Sequence, residues 1–523
     1  EFITSNNYPY FSSWDGGSGF WYTRGANNRK LEEKKYFKYI YFHKLGENIK
    51  EDKVFFKKDL KKEDWPEIRL SHDNKYILIW VLGRDQNSKI FFKDLSNLKS
   101  KFIEISKGMK AESYAMINNG YIYMETNHKA PNSKILRRKI FKDKLSNWTV
   151  FIPERENRIN NWSLVSDYLL LEYLVNVSSN FSAVRIRDKK IKEIKLPDIG
   201  SVGLISTDFD KKEFFFSFSS FNIPSRIYKV NFKDLKPEIF WKLNIPVDID
   251  NLTIKQEWYK SKDGTRIPMF IVSKKGIKLN NKNPTLVYAY GGFGISITPG
   301  FWSSIIPFLE SGGIFVVVNI RGGGELGEKW HKSAILKNKK KSFEDFSFSL
   351  KYLVEKKYTN PDKIAIWGTS NGGLLASVMI TRYPEQFRVA VIGAAITDML
   401  KYHLFEGGRF WIGEYGDPND KKMKPYLLKY SPYHNIRSLD YPSTIFITSD
   451  QDDRVSPVHS YKMVARLKDF GIGKNPVLLR VEKTAGHSGA NKTSSTIEES
   501  ADMLAFIYKE LEIKEGSASY LIL

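Results

Sequence analysis

Apolar positions set two different rhythms along this chain. Up to about residue 244 they come as short bursts, each an apolar stretch, a polar turn and then a strongly aromatic or β-branched run. The bursts read "WDGGSGFWYT" from Trp14, "LSHDNKYILIWV" from Leu70, "YAMINNGYIYMET" from Tyr114, "LVSDYLLLEYLV" from Leu164 and "ISTDFDKKEFFFSF" from Ile205. Their turns carry Asp, Asn or Gly, which tolerate the backbone angles that reverse a chain. A spacing of roughly 40–60 residues is the range of four-stranded propeller blades. The pattern predicts an all-β domain over 1–244, a β-propeller with about five recognisable blades, with a β-sandwich as the other solution.

Beyond that point the period alternates between two and 3.6. "YKSKDGTRIPMFIV" predicts a hairpin around Asp263-Gly264. "TLVYAY", "GGIFVVVNI", "KIAIWG", "VAVIGAA", "STIFITS" and "PVLLRVE" read as buried strands. Between them lie helical patterns such as "FEDFSFSLKYLVEKKY", "GGLLASVMITRY" and "SYKMVARLKDFG", with "STIEESADMLAFIYKELEI" as the last helix. Strands alternating with helices imply a doubly wound, mostly parallel sheet over 245–523. Such sheets bind ligands at the carboxyl ends of their strands.

Composition narrows the chemistry. The 523 residues include no cysteine, so thiol catalysis, disulfides and cysteine metal sites are excluded. No metal-ligand spacing such as His-Glu-x-x-His occurs, and no metal or cofactor is expected. The net charge is +23, spread along the chain: 44 Lys/Arg stand against 30 Asp/Glu in residues 1–244, and 38 against 29 in the remainder. No nucleic-acid motif accompanies the charge, so it reads as a lysine-rich solvated surface. The longest apolar runs fall far short of a membrane helix, and no secretory signal opens the chain. A cytoplasmic, monomeric protein without nucleic-acid or membrane partners is expected. The first residue is Glu and the pattern starts midway, so the chain is expected to be N-terminally incomplete.

One stretch carries candidate chemistry. In "IAIWGTSNGGLLAS" a strand runs into Gly368-Thr-Ser370-Asn-Gly372 and then into a helix. That context suits a nucleophile elbow, in which small neighbours let the chain turn sharply and lift a hydroxyl above the sheet. A serine needs a base, and the base needs a carboxylate. In this kind of sheet the order is Ser, acid, His. After "STIFITS" come Asp450, Asp452 and Asp453, which spacing alone leaves open. After "PVLLRVE" comes His487, flanked by glycines. His459 is expected to face solvent or cap its helix, and His403 and His434 break the order. The turn after the first strong strand, Tyr290-Gly-Gly-Phe293, is where an oxyanion donor belongs, either a backbone N–H or the tyrosine hydroxyl. "NIRGGGELGEKWH" from Asn319 is glycine-rich, but no Lys-Ser/Thr follows, so it is not a phosphate loop.

Together these motifs resemble the prolyl oligopeptidase family, serine peptidases with an α/β-hydrolase domain and a seven-bladed propeller. The resemblance rests on "SKDGTRIPMFIV", "YGGFGIS", "NIRGGGELGEKWH", "GTSNGG", "DDRVSPVHS" and "AGHSGA". It covers the second half closely and the propeller half loosely. It implies a triad of Ser370, Asp452 and His487, with an oxyanion hole of Tyr290 and the Asn371 N–H. It implies that Arg454 bonds a substrate carbonyl, that Trp411 lies against a substrate proline, and that Phe293 and Tyr415 line the pocket. The implied activity is cleavage of short peptides after proline through an acyl-enzyme, under a propeller that admits only oligopeptides. Five blades where the family has seven, and no segment before them, strengthen the expectation of an incomplete or catalytically impaired scaffold. A sibling oligopeptidase with another P1 preference is the alternative, since Glu406 and Glu414 lie near Trp411. Thr369 and Ser488 stand where the family usually has Gly.

Overall fold

The computed structural model describes residues 10–513 apart from 15–16, 26–35, 84–86, 98, 142–143, 208–210, 246, 406, 484, 488 and 490–491. Asp15, Asp208, Asp210, Glu406 and Ser488 therefore lie outside the described residues. The chain divides into two compact units, one of 1–170 with 185–187 and 208–211, the other of the remaining residues.

Between Tyr10 and Lys242 the described strands form five successive sheets, in which consecutive strands are neighbours except in the third, where Thr149–Ile152 and Lys144–Leu145 both pair with Lys134–Phe141. Four have four strands, and the third adds a two-residue strand for five. Alternation explains how they stack within the first unit. On the strand Tyr76–Leu82, Ile77, Ile79 and Val81 pack with Trp21, Ile40 and Phe56 of the preceding sheet, while Leu78 packs with Ala115, Ile122 and Met124 of the following one. A side-chain period of two sends neighbouring residues of this strand to opposite faces, and both faces of its sheet are apolar and covered.

In the second unit eight strands form one sheet. They are β1 (Leu252–Lys260), β2 (Arg266–Lys274), β3 (Thr285–Ala289), β4 (Ile314–Val318), β5 (Ile364–Thr369), β6 (Val389–Gly393), β7 (Ser443–Ser449) and β8 (Val477–Glu482), in spatial order β1-β2-β4-β3-β5-β6-β7-β8. β1 and β2 form the hairpin around Asp263-Gly264, and β2 runs antiparallel to β4. Every pair from β4 through β8 is parallel. Helices α1 (Lys340–Glu355), α2 (Asn371–Arg382) and α3 (Val458–Phe470) share one apolar cluster with Val287, Val316, Ile366 and Ile392. Helix α4 (Thr493–Glu510) packs in a second cluster with Leu286, Phe315, Ala365 and Val391. Neighbouring strand residues thus point into opposite layers, which is why these strands read as continuous apolar runs.

β8 departs from the expectation of a buried strand. It is last in the sheet, with one neighbour, and Leu478 and Leu479 are exposed. An apolar run does not distinguish a central strand from an edge strand. His459 departs too. It sits in the first turn of α3, buried, and its Nδ1 accepts from the Asp398 N–H at 3.2 Å. Burial lowers its pKa to about 4, so it stays neutral inside the fold.

Candidate active site

The carboxyl ends of β3, β5, β7 and β8 deliver the residues of interest to one place. Ser370 joins β5 to α2 with φ 59° and ψ −117°, a conformation rare for a residue with a Cβ. The turn closes because its neighbours lack side chains. A Cβ at Gly368 would meet the Gly372 carbonyl oxygen at 2.1 Å, and one at Gly373 would meet that of Gly393 at 2.4 Å. The Ser370 N–H donates to Gly393 at 2.9 Å, and its carbonyl accepts the first bond of α2 from Leu374. The hydroxyl is thereby held out at the sheet edge. The Asn371 N–H falls in the first turn of α2, whose donors have no partner within the helix.

The acid and base meet directly. His487 Nδ1 lies 2.8 Å from Asp452 Oδ2. The other oxygen, Asp452 Oδ1, accepts the backbone N–H groups of Arg454 at 3.0 Å and Val455 at 2.8 Å. Asp450 and Asp453 are exposed, so of the three candidate aspartates the buried Asp452 is the one that meets the imidazole. Ser370, His487, Tyr290 and Arg454 line one cavity of about 420 Å³. Tyr290 lines the cavity beside Ser370, and burial raises its pKa, keeping the phenol protonated and able to donate. Glu499 of α4 lines the same cavity, a contribution with no signal in sequence spacing.

Trp411, Phe293 and Tyr415 fall outside that lining and form an aromatic cluster of their own. Trp411 stacks on Tyr402 with ring centroids 6.4 Å apart, Tyr402 meets Tyr415 edge-on at 5.5 Å, and Phe293 meets Tyr415 edge-on at 5.6 Å. Trp411 and Phe293 are half-buried, whereas Tyr415 is fully buried. Tyr415 therefore acts from behind: its hydroxyl donates to Asn371 Oδ1 at 2.9 Å, and Asn371 Nδ2 donates to the Tyr290 carbonyl at 2.5 Å. The cluster also adjoins the exposed Arg454. A Cβ on Gly407 would lie 3.4 Å from the Trp411 ring and 3.2 Å from the Arg454 carbonyl oxygen.

Two further features escaped the sequence. Glu414 does not present a carboxylate to a pocket. It is 1% exposed and bonded to Lys339 Nζ and His331 Nε2, both at 2.8 Å. Burial works to raise its pKa, but the Lys339 charge and the His331 hydrogen bond hold it below the usual carboxylate range. The glycine-rich loop after β4 braces the Tyr290 loop. Gly294 and Gly322 are joined by a backbone bond, as are Gly324 and Ile295. Glu325 accepts the Ile297 N–H at 3.0 Å. Among the described residues no cluster of His, Asp or Glu could hold a metal ion, and no helix is long and apolar enough to cross a membrane.

A nucleophile on a strained elbow, a base oriented by a buried carboxylate and a phenol beside the nucleophile are the parts of acyl transfer. Comparison with known proteins agrees. Residues 299–514 match the model of the "Prolyl oligopeptidase family", and residues 5–242 match "Prolyl oligopeptidase, N-terminal beta-propeller domain". A prolyl endopeptidase of Elizabethkingia miricola is 36% identical over 510 residues, which are 96% of this chain and 72% of that protein. A structure from an analysis of two prolyl endopeptidases superposes with TM-score 0.90 at 32% identity, covering 97% of this chain and 75% of the other. Prolyl oligopeptidase B from Galerina marginata, bound to a 35-residue hydrolysis and macrocyclization substrate, gives 0.90 at 29% identity over 97% and 72%.

Proposed function

We propose, because this chain belongs to the prolyl oligopeptidase family, that it is a serine endopeptidase cleaving short peptides on the carboxyl side of proline. Its fold is an α/β-hydrolase domain with an N-terminal β-propeller domain. We place the division at about residue 244, with five blades before it. The observation that carries the reading is the His487–Asp452 pair at 2.8 Å beside a cavity lined by Ser370.

Ser370 Oγ attacks the carbonyl carbon of the proline residue. His487 Nε2 takes the hydroxyl proton, and Asp452 holds the Nδ1–H and stabilises the imidazolium. The oxyanion accepts from the Tyr290 hydroxyl and the Asn371 N–H, donors aimed where charge develops. The C–N bond breaks as His487 passes its proton to the leaving nitrogen. Water, deprotonated by the same imidazole, then attacks the acyl-enzyme and frees a peptide ending in proline. A proline ring is rigid, apolar and without an N–H, so a flat aromatic surface recognises it by area. Trp411 supplies that surface, Phe293 completes the pocket with the buried Tyr415 packed behind it, and Arg454 bonds the carbonyl of the preceding residue.

The alternative, a pocket for a basic side chain, needs a carboxylate free to meet it. Glu414 is committed to Lys339 and His331, which favours the proline reading. The expected result is turnover of a Gly-Pro amide at least about 10-fold faster, in kcat/KM, than of the matching Gly-Arg amide, since even one methylene in a hydrophobic pocket is worth about 1–3 kcal/mol. Equal turnover, or preference for Arg, overturns the assignment. A cytoplasmic, monomeric working form belongs to the same reading.

A further inference from the structure

Glu414 raises a question that catalysis by a triad does not answer. A buried lysine–carboxylate pair is costly, because each ion leaves water for a medium that solvates it poorly, and apolar residues of equal volume often serve stability as well or better. Here both partners are 1% exposed, yet the pair is present. Its hydrogen bonds give a reason. Lys339 Nζ donates to Glu414 Oε1 at 2.8 Å and also to the Gly291 carbonyl at 3.0 Å. Glu414 Oε2 is held in turn by His331 Nε2. The neighbouring carbonyl, that of Tyr290, accepts from Asn371 Nδ2, which is fixed through Tyr415. Glu414 and Tyr415 are adjacent in one short helix, Ile412–Tyr415. One turn thus anchors the consecutive carbonyls of Tyr290 and Gly291.

We propose that Lys339, held by Glu414 and His331, is a positioning residue for the oxyanion hole: by fixing the Gly291 carbonyl it aims the Tyr290 hydroxyl at the tetrahedral oxygen. The proposal rests on the reading of Tyr290 as oxyanion donor. A methionine at 339 would fill similar space but offer no donor, and the Gly291 carbonyl would lose the closer of its two side-chain donors, Ser342 Oγ standing at 3.5 Å. An oxyanion donor acts in the transition state, so a misaimed Tyr290 lowers kcat with little change in KM.

The test is a double-mutant cycle on the full chain with a Gly-Pro amide. Tyr290→Phe alone is expected to lower kcat by about 10²–10³-fold, the usual loss for one oxyanion donor. Lys339→Met alone is expected to lower kcat by about 10-fold or more, a part of that loss, with KM within about twofold. The double variant is expected to be no slower than Tyr290→Phe, because there is no hydroxyl left to aim. Should Lys339→Met not fold, Lys339→Met/Glu414→Leu removes both charges together and replaces it in the cycle. Unchanged kcat in the folded Lys339 variant overturns the proposal. So does a loss of equal size with and without the Tyr290 hydroxyl, which a merely structural lysine would give. Wild-type kcat in Tyr290→Phe removes the reading of Tyr290 itself, and the proposal with it.

Discussion

Replacing Ser370 with alanine is expected to lower kcat on a Gly-Pro amide by about 10⁴–10⁶-fold with the fold intact, the range seen when such a nucleophile is removed. The structure separates this from a loss through misfolding. Ser370 holds φ 59°, a region that costs about 1–3 kcal/mol for a residue with a Cβ. Alanine keeps the Cβ and the same backbone preference, and removes only the hydroxyl that lines the cavity with His487. Were Ser370 an incidental turn residue, the same substitution would leave turnover untouched. Steady-state kinetics together with an unchanged melting temperature check the expectation.

Asp452→Asn is expected to cost about 10⁴-fold in kcat, and here the reason is the direction of its hydrogen bonds. Asp452 Oδ1 accepts two backbone N–H groups, from Arg454 and Val455, while Oδ2 faces His487 Nδ1. An asparagine has one oxygen to place. The two backbone donors claim it, which turns the amide NH₂ toward Nδ1. The imidazole must then carry its proton on Nε2, the tautomer that cannot accept a proton from Ser370. The variant is therefore expected to be folded, to bind substrate with nearly unchanged KM, and to turn over at about 10⁻⁴ of the wild-type rate. A loss of less than about tenfold would mean that Asp452 does not orient the base.

Much of the fold and of the site is legible in the sequence, and what is not legible has physical reasons. The parallel strands announce themselves because both faces are buried, and the elbow because only glycines at 368, 372 and 373 permit the close approach. The base could be found by order along the chain. The acid could not be chosen by spacing, since Asp450, Asp452 and Asp453 differ in burial and not in residue type. Tyr415 looks from sequence like a pocket aromatic, while its fully buried hydroxyl serves Asn371. Lys339 stands in the run "LKNKKKS", where nothing marks one lysine as buried among its neighbours. Its partner Glu414 lies 75 residues on, and pairs at that separation leave no periodic trace. The loop "NIRGGGELGEKWH" shows its glycines plainly, but their use, bracing the backbone after β3, is visible only once both loops are folded.

The central claim is that Ser370 is an activated nucleophile in a site for proline peptides. Intact-protein and peptide mass spectrometry after treatment with a phosphonofluoridate tests it most directly. The account predicts one adduct per chain, on the peptide carrying Ser370, formed more slowly when a Gly-Pro peptide competes. No adduct, an adduct on another serine, or labelling indifferent to the proline peptide would contradict it.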